Sequence, residues 1–309
     1  MVKDDLSLAR GAVRSLLIRH GENDARIDRV CRSGGGLSRT GVLVSILGAQ
    51  SIPEHVVALV PRALREANAH KVWEREASVL GALARCCRGI DVPSFVGIEW
   101  YDGVPILLVS VVTGLTLGPW GIIRDPIRYL TSVARVASVV HSLPYVDFQE
   151  ALGPLSTCRA FALSRLSVFS SHPDPDIQRA YRWCRERLPD DTPTVVLHGD
   201  LLGQNLLLNQ NDEAILGVLN WGECCSGDPA YELAVVTRGV RNPWKVIDGR
   251  KRLLDWYEES GGRSISVERV LFYEALLVMG WLAHYLECDP SSGDIGEERR
   301  RLATVLKGF

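Results

Sequence analysis

The sequence lacks both a charge excess and a long apolar run. Its 309 residues carry a formal net charge of −2, so the composition does not indicate a polyanionic partner such as a nucleic acid. The apolar stretch Pro105–Val112 is far too short to span a membrane, and the first residues lack the apolar segment of a secretory signal. We therefore expect a cytoplasmic protein that has neither a nucleic-acid nor a membrane partner.

The spacing that marks cysteine-based metal sites is also missing. Of the eight cysteines, four form the adjacent pairs Cys86-Cys87 and Cys224-Cys225, and no C-x-x-C motif occurs. The histidines lack zinc-site spacing as well. Free thiols in a reducing compartment are therefore the expected state of these cysteines.

The composition is that of an ordinary globular protein, and the residue pattern differs between the first and second parts of the chain. Hydrophobic residues make up 46% and charged residues 23%, which is typical, while 309 residues exceed one typical core. Residues 1–112 are rich in strand-like runs, and residues 113–309 are mainly helical in pattern. We predict an α+β fold with a smaller antiparallel-sheet lobe, a larger helical lobe and a ligand site in the cleft between them.

Individual elements follow from the same patterns. Turn signals lie at the glycine cluster Gly34–Gly36 and at Asp102-Gly103. Predicted helices cover 7–20, 68–86, 126–142, 159–169 and 176–188 and most of 231–306, and predicted strands flank the glycine cluster and cover 55–61 and both arms of 94–112.

The most informative stretch is "VVLHGDLLGQNLLLNQNDEAILGVLNWG", residues 195–222. Asp200 and Asn205 have the Asp-x-x-x-x-Asn spacing of a kinase catalytic loop. Phosphoryl transfer needs a carboxylate that accepts the alcohol proton and an oxygen nearby that holds Mg²⁺. The alternative is structural: Asp200 caps a turn and Asn205 bonds its own backbone.

The neighbouring residues give the motif a family context. "LHGDLLGQNLLL", followed by "LGVLNWGECCSGDPAYELAVV", resembles the aminoglycoside phosphotransferase family of protein-kinase-like small-molecule kinases. That family shows H-G-D-x-x-x-x-N, I-D-W and G-D-P-x-x-D-L-A, and "EREASVLGAL" and "VVHSLP" are similar to its upstream helices. The resemblance runs from about 34 to 282. It implies a bilobal protein-kinase-like fold and Mg²⁺-assisted transfer of the γ-phosphate of ATP or GTP to a hydroxyl of a small molecule, such as an aminoglycoside or a similar antibiotic.

The resemblance also implies roles for single residues of the helical lobe. Asp200 would be the catalytic base and His198 the residue that braces its loop. Asn205 and Asn220 would be the metal ligands. Asp228 would stiffen the catalytic loop from behind, although a plain turn-forming role is an equal alternative.

Nucleotide binding would fall to the first lobe. Gly34, Gly35, Gly36 and Ser38 would form a tip over the phosphates, unless the glycines are simply a turn. Glu76, with Glu74 as competitor, would hold a strand lysine against the phosphates. Backbone groups near Val109 to Val111 would bind the nucleotide base.

Two positions depart from the family pattern. No lysine occurs between Lys3 and Lys71, and alignment with the usual V-V-K-V-P-R puts Ala58 at the lysine position, with Arg62 or Arg65 as possible substitutes. Asn220 stands where I-D-W has an aspartate, and hard divalent ions favour carboxylates. Together these changes leave open an alternative, a pseudokinase-like nucleotide-binding or scaffold protein with little or no turnover.

The sequence does not choose the acceptor. Acidic residues of the helical half could bind a polycationic acceptor through charge-assisted hydrogen bonds, although helix carboxylates are usually solvated. Tryptophans could instead line an apolar pocket, although most tryptophans are core residues. The acidic candidates are Glu223, Glu232 and Glu274, with Asp255, Glu258 and Glu259 behind them, and the tryptophans are Trp221, Trp244, Trp256 and Trp281.

Overall fold

The chain forms two compact units. The computed structural model describes residues 4–35, 39–62, 69–116, 123–209, 214–237, 245–288 and 294–308. One unit comprises Met1–Cys86 and Asp91–Thr113, and the other comprises Cys87–Ile90 and Gly114–Phe309. All eight cysteines are free thiols. Within the described ranges no cluster of His, Cys, Asp and Glu side chains could hold a metal ion.

The first unit is a five-stranded antiparallel sheet with two helices. Helix α1 begins after Asp4, whose side chain accepts a hydrogen bond from Ser7 N at 2.7 Å, as an N-cap aspartate does. The strand order is β1-β2-β3-β5-β4. The elements are α1 (Asp5–Arg19), β1 (Arg26–Gly35), β2 (Arg39–Leu47), β3 (His55–Pro61), α2 (Ala69–Cys86), β4 (Phe95–Tyr101) and β5 (Val104–Ser110).

Strand alternation divides this sheet into two faces. One face packs against α1 in a single hydrophobic core that includes Val42, Ala58 and Leu108. Residues on either side of these in sequence point to the opposite face, because successive strand residues alternate. The pairing is unshifted along β2-β3 and β3-β5, with Leu59 opposite both Gly41 and Leu107. The face away from α1 therefore carries Val57, Leu59, Leu107 and Val109.

The second unit is mainly helical and contains short strands. Its helices are α3 (Pro126–His141), α4 (Gln149–Leu152), α5 (Cys158–Ser167), α6 (Pro175–Arg185), α7 (Pro229–Thr237), α8 (Gly249–Glu259), α9 (Val267–Cys288) and α10 (Asp294–Leu306). Its strands are β6 (Leu115–Thr116), β7 (Val195–Leu197), β8 (Leu206–Leu208), β9 (Ile215–Val218) and β10 (Cys225–Gly227). The α+β class expected from the sequence is confirmed.

The two apolar runs around the catalytic motif belong to different sheets. β7 pairs with β10, whereas β8 lies between β6 and β9. The loop that joins β7 to β8 therefore does not close a hairpin. It crosses from one small sheet to the other, which fixes both of its ends independently.

One helix of the described chain, α9, is long and apolar enough to cross a membrane by length and composition. An 18-residue window in it has a mean hydropathy of 1.2, and 56% of that window is buried inside the unit. Glu274 interrupts this apolar run, so the sequence pattern does not show it as one continuous apolar stretch. A core helix of a globular protein meets the same criterion, and α9 packs against α6, α7 and α10.

Candidate active site

Near its start, the loop 198–205 requires a glycine at position 199. Gly199 has a φ of +84°, in the left-handed region. A Cβ atom at this position would lie 2.2 Å from the backbone oxygen of Glu223, which is far inside van der Waals contact. Glycine between His198 and Asp200 therefore lets the loop turn directly against the segment that follows Asn220.

His198 braces the loop in one defined tautomer. Its ring is completely buried and stands edge-on to Trp221, with ring centroids 4.8 Å apart. Nε2 lies 2.8 Å from Leu219 O, and Nδ1 lies 3.2 Å from Asp200 N. The carbonyl can only accept and the amide N–H can only donate, so Nε2 carries the proton and Nδ1 accepts. This neutral ring ties Asp200 to the end of β9.

Glu232 on α7 holds the same loop from beneath. Its carboxylate is fully buried and accepts hydrogen bonds from His198 N at 2.6 Å and Gly199 N at 2.9 Å. Burial by itself raises the pKa of this carboxyl, but the nearby His141 and the loop around His198 outweigh it and hold the pKa below its ordinary value. Glu232 is therefore an ionised anchor for two backbone amides.

His141 on α3 completes the buried network around that anchor. Its Nδ1 lies 2.7 Å from Tyr257 OH, and its Nε2 lies 3.7 Å from Glu232 Oε2. At that distance the two side chains do not form a hydrogen bond and interact only electrostatically. The "VVHSLP" segment thus contributes to the loop through its histidine.

Asp200, Asn205 and Asn220 form a chain of polar contacts. Asn205 Nδ2 donates to both the backbone oxygen and Oδ2 of Asp200, each at 2.7 Å. Asn220 Nδ2 donates to Asn205 Oδ1 at 3.2 Å. Asn220 itself adopts a left-handed conformation, with φ of +66°, which asparagine tolerates better than most residues. The structure thus brings together the three residues that the motif predicted to act together.

This donor set fits Mg²⁺, which binds oxygen ligands from side chains, substrate phosphates and water. Asn220 Oδ1 is buried and has no hydrogen-bond partner in the described part of the chain. A buried amide oxygen without a partner is costly, and a cation ligated there would satisfy it. Asn205 Oδ1 and Asn220 Oδ1 are therefore the two protein oxygens that fit the ion.

Asp228 is tied to helices and not to the catalytic loop. It is fully buried, and its Oδ1 accepts from Ala230 N at 3.0 Å. Its Oδ2 accepts from Arg269 Nε at 2.8 Å and from Tyr273 OH at 2.9 Å. These partners belong to α7 and α9, so the support that the sequence argument assigned to Asp228 comes directly from Glu232 instead.

In the first unit the helix acid is Glu76. Its side chain is 3% exposed and accepts from Arg39 Nη1 at 2.7 Å. The competitor Glu74 is 57% exposed and lies 3.4 Å from His70. The alignment that gave Ala58 the lysine position is corrected by the structure, because Ala58 points into the core against α1. Arg62 is exposed, and Arg65 lies outside the described residues.

The remaining nucleotide-binding predictions concern β1, β5 and the residues that follow these strands. Gly34 pairs with Gly41 and Gly35 with Thr40, at the end of the ladder where the chain passes from β1 to β2. Gly36 and Ser38 lie outside the described residues. Val109 is buried in β5, and Val111 follows that strand and is 40% exposed.

Comparison with known proteins shows the family. The model of the phosphotransferase enzyme family, APH, matches residues 33–265. The chain belongs to this family. It is 26% identical over 242 residues to an aminoglycoside 3'-phosphotransferase of Streptomyces fradiae, which covers 74% of this chain and 87% of that protein. It is 29% identical over 211 residues to a viomycin phosphotransferase of Streptomyces vinaceus, which covers 63% and 72%.

Solved structures agree in fold. A macrolide 2'-phosphotransferase type I superposes with a TM-score of 0.67 at 20% identity, covering all of this chain and 98% of that one. The protein-kinase-like fold expected from the sequence is confirmed. The protein is a phosphotransferase enzyme, and nothing in these comparisons favours the alternative of a nucleotide-binding protein without turnover.

Two of the three acidic candidates for this phosphotransferase's acceptor site are buried. Glu232 is engaged by the loop amides, as described above. Glu274 is fully buried and accepts from Arg250 Nε at 2.9 Å and Thr237 Oγ1 at 2.8 Å. Neither carboxylate faces solvent, so the acceptor role predicted for them is corrected to a structural one. Glu223, three residues after Asn220, is exposed and remains a candidate.

Sequence reasoning missed three contributors to this site. Gly199 was given no role, although a glycine between two functional residues signals a special backbone conformation. Glu232 and His141 were missed as loop supports because a charged residue on a helix usually faces solvent. Their signal lay in their place inside the G-D-P-x-x-D-L-A and L-H-x-L-P patterns.

Proposed function

We propose that the protein transfers the γ-phosphate of ATP or GTP to a hydroxyl group of an aminoglycoside or a similar cationic antibiotic, with Asp200 as the general base. The observation that carries the proposal is the chain of contacts from Asp200 through Asn205 to Asn220. These contacts link the Asp200 carboxylate to the side-chain amides of Asn205 and Asn220.

Asp200 receives the proton of the acceptor. As the acceptor oxygen bonds to the γ-phosphorus, the bond from phosphorus to the β-γ bridging oxygen breaks, and ADP or GDP leaves. The hydroxyl proton moves to the Asp200 carboxylate. The bond from Asn205 Nδ2 orients that carboxylate, and a carboxylate with about four lone-pair sites can accept one hydrogen bond and still take a proton.

Mg²⁺ bound by Asn205 and Asn220 would neutralise charge on the triphosphate. The roles of the protein residues are positional. His198 and Glu232 hold the backbone of the loop, which limits the reorganisation of Asp200 when the acceptor arrives. The residues up to about 112 would bind the nucleotide through Val109, Val111, Glu76 and the glycine tip, and residues 113–309 would carry catalysis and the acceptor.

The proposed acceptor class rests on two relatives and one exposed acid. The curated relatives are named for an aminoglycoside and for viomycin, both of which are polycationic. Glu223 is exposed close in sequence to Asn220, where a carboxylate could pair with an acceptor amine.

A transfer assay tests the proposal. γ-³²P-labelled ATP or GTP is incubated with Mg²⁺, the protein and one acceptor at a time: aminoglycosides, viomycin, a macrolide, and simple sugars or amino alcohols. We expect labelled product with at least one cationic antibiotic. Label on none of the acceptors, with nucleotide hydrolysis no greater than that of Asp200→Asn, would contradict it.

A further inference from the structure

The first unit contains a nearly buried arginine that the reaction described so far does not use. Arg39 begins β2, and its side chain is 13% exposed. Its Nη1 donates to Glu76 Oε2 at 2.7 Å. Its guanidinium carbon lies 5.0 Å from the centre of the Trp73 ring, within the range of a cation–π contact. Two contacts from α2 therefore fix this guanidinium in one position.

Strand register places Arg39 on the face of the sheet away from α1. Arg39 pairs with Pro61, Gly41 with Leu59 and Leu43 with Val57, and these alternate residues share one face. The same face carries Val109, the residue proposed to lie next to the nucleotide base. Ala58, in contrast, is on the opposite face in the core with α1.

Arg39 also lies at the root of the glycine tip. Gly35 pairs with Thr40, so Arg39 directly precedes the first residue of β2 that pairs with β1. No lysine occurs between Lys3 and Lys71, so no lysine ammonium group is present on these strands.

The guanidinium has donors to spare. It has five N–H groups in a planar fork, and its one hydrogen bond to a described residue uses Nη1. The remaining N–H groups can form the paired, charge-assisted bonds that arginine makes with phosphate oxygens. The hydrogen bond to the Glu76 carboxylate holds the guanidinium, and therefore its remaining N–H groups, in one orientation.

We propose that Arg39, held by Glu76, binds the phosphate chain of the nucleotide and takes the place of the missing strand lysine. This inference rests on the proposed function. It makes Arg39 a nucleotide-binding residue and Glu76 the residue that positions it. It also accounts for phosphate binding in a chain that has no lysine between Lys3 and Lys71.

The test measures dissociation constants by isothermal titration calorimetry. The ligands are the triphosphate, the diphosphate and the nucleoside of whichever purine the wild-type protein prefers, with Mg²⁺ constant. The variants are Arg39→Gln, Arg39→Lys and the neutral pair Arg39→Gln/Glu76→Gln, which leaves no unpaired buried carboxylate. Arg29→Gln, an exposed arginine on β1, is the matched control.

We expect Arg39→Gln and the neutral pair to weaken triphosphate binding roughly 10- to 100-fold, the effect of lost hydrogen bonds to a charged group. Nucleoside affinity stays as in wild type, Arg39→Lys recovers part of the loss, and Arg29→Gln changes nothing. Equal losses for triphosphate and nucleoside would show a purely structural ion pair, and unchanged triphosphate affinity in the neutral pair would also overturn the inference. In both cases phosphate transfer by the wild type would leave the proposed function intact, whereas a wild type that binds no nucleotide would overturn both.

Discussion

Asn220 donates a hydrogen bond from Nδ2 to Oδ1 of Asn205 across 3.2 Å. An aspartate at position 220 would instead put a carboxylate oxygen next to Asn205 Oδ1. Two such oxygens are stable together only with a cation between them. Asn220 therefore lets the loop keep its shape without a metal ion. It also leaves less negative charge at the site to bind the ion.

Asn220→Asp should make the protein depend on Mg²⁺. Without divalent ions the new carboxylate repels Asn205 Oδ1, and we expect a lower melting temperature than in wild type. With Mg²⁺ and nucleotide the melting temperature should rise above that of wild type, and phosphate transfer should increase roughly 10²–10³-fold, the usual effect of one preorganised electrostatic contact. Thermal shift and transfer assays measure both. Asn23→Asp adds the same charge at an exposed turn and should show neither change.

Glu232→Gln should destabilise the protein by about 3 kcal/mol at neutral pH, because it removes a buried charge on which two backbone amides depend. The folded-state pKa of Glu232 lies below its usual 4.5. Its contribution is therefore present above that pH and is lost as the pH falls through the folded pKa. Denaturant unfolding should show that the difference in free energy of unfolding between wild type and variant becomes smaller below pH 4.5. A difference independent of pH would contradict an ionised Glu232, and Glu259→Gln on the surface is the control.

Gly199→Ala should cost more than an ordinary glycine substitution at positive φ. A left-handed conformation alone costs about 1–3 kcal/mol, and here the new Cβ also meets Glu223 O at 2.2 Å. Gly89→Ala is a control with nearly the same φ, +86°, and nothing within 4 Å of the new atom. We expect Gly199→Ala to lose more free energy of unfolding than the control and to lose activity. Equal losses would show that the close approach to Glu223 does not constrain the loop.

Glu223→Gln should raise KM for a cationic acceptor and leave kcat almost unchanged. A surface charge pair contributes about 1 kcal/mol or less, so the rise should be roughly fivefold and should disappear at high salt. Steady-state kinetics at two ionic strengths measure it. A fall in kcat at constant KM would assign Glu223 to the transition state instead.

Sequence periodicity predicted the elements of the fold well because most strands and helices bury one regular face. Short strand-like runs and the Asp102-Gly103 turn signal predicted β3, β4 and β5, and helical spacing predicted α1 and α2. The pairing of β7 with β10 was not predictable, because three-residue strands carry too little pattern to show their partners.

Within the site, the residue types and spacing of the motif identified Asp200, Asn205 and His198. The prediction that Ala58 occupies the lysine position was wrong, because an alignment slip of one residue moves a strand residue to the other face of the sheet. The supporting role of Glu232 and the place of Arg39 were not predicted, because each depends on a partner far away in sequence. Only the folded chain brings Glu232 to His198 and Arg39 to Glu76.

Asp200→Asn tests the central claim most directly. Phosphate transfer from Mg²⁺-nucleotide to the best acceptor is measured for wild type, Asp200→Asn and the control Asp191→Asn, whose side chain is exposed, with melting temperature as the check on folding. The account predicts a loss of roughly 10²–10⁴-fold in kcat for Asp200→Asn, the contribution of a general base, with nucleotide binding retained and the control unchanged. Transfer by a folded Asp200→Asn at the wild-type rate would contradict it.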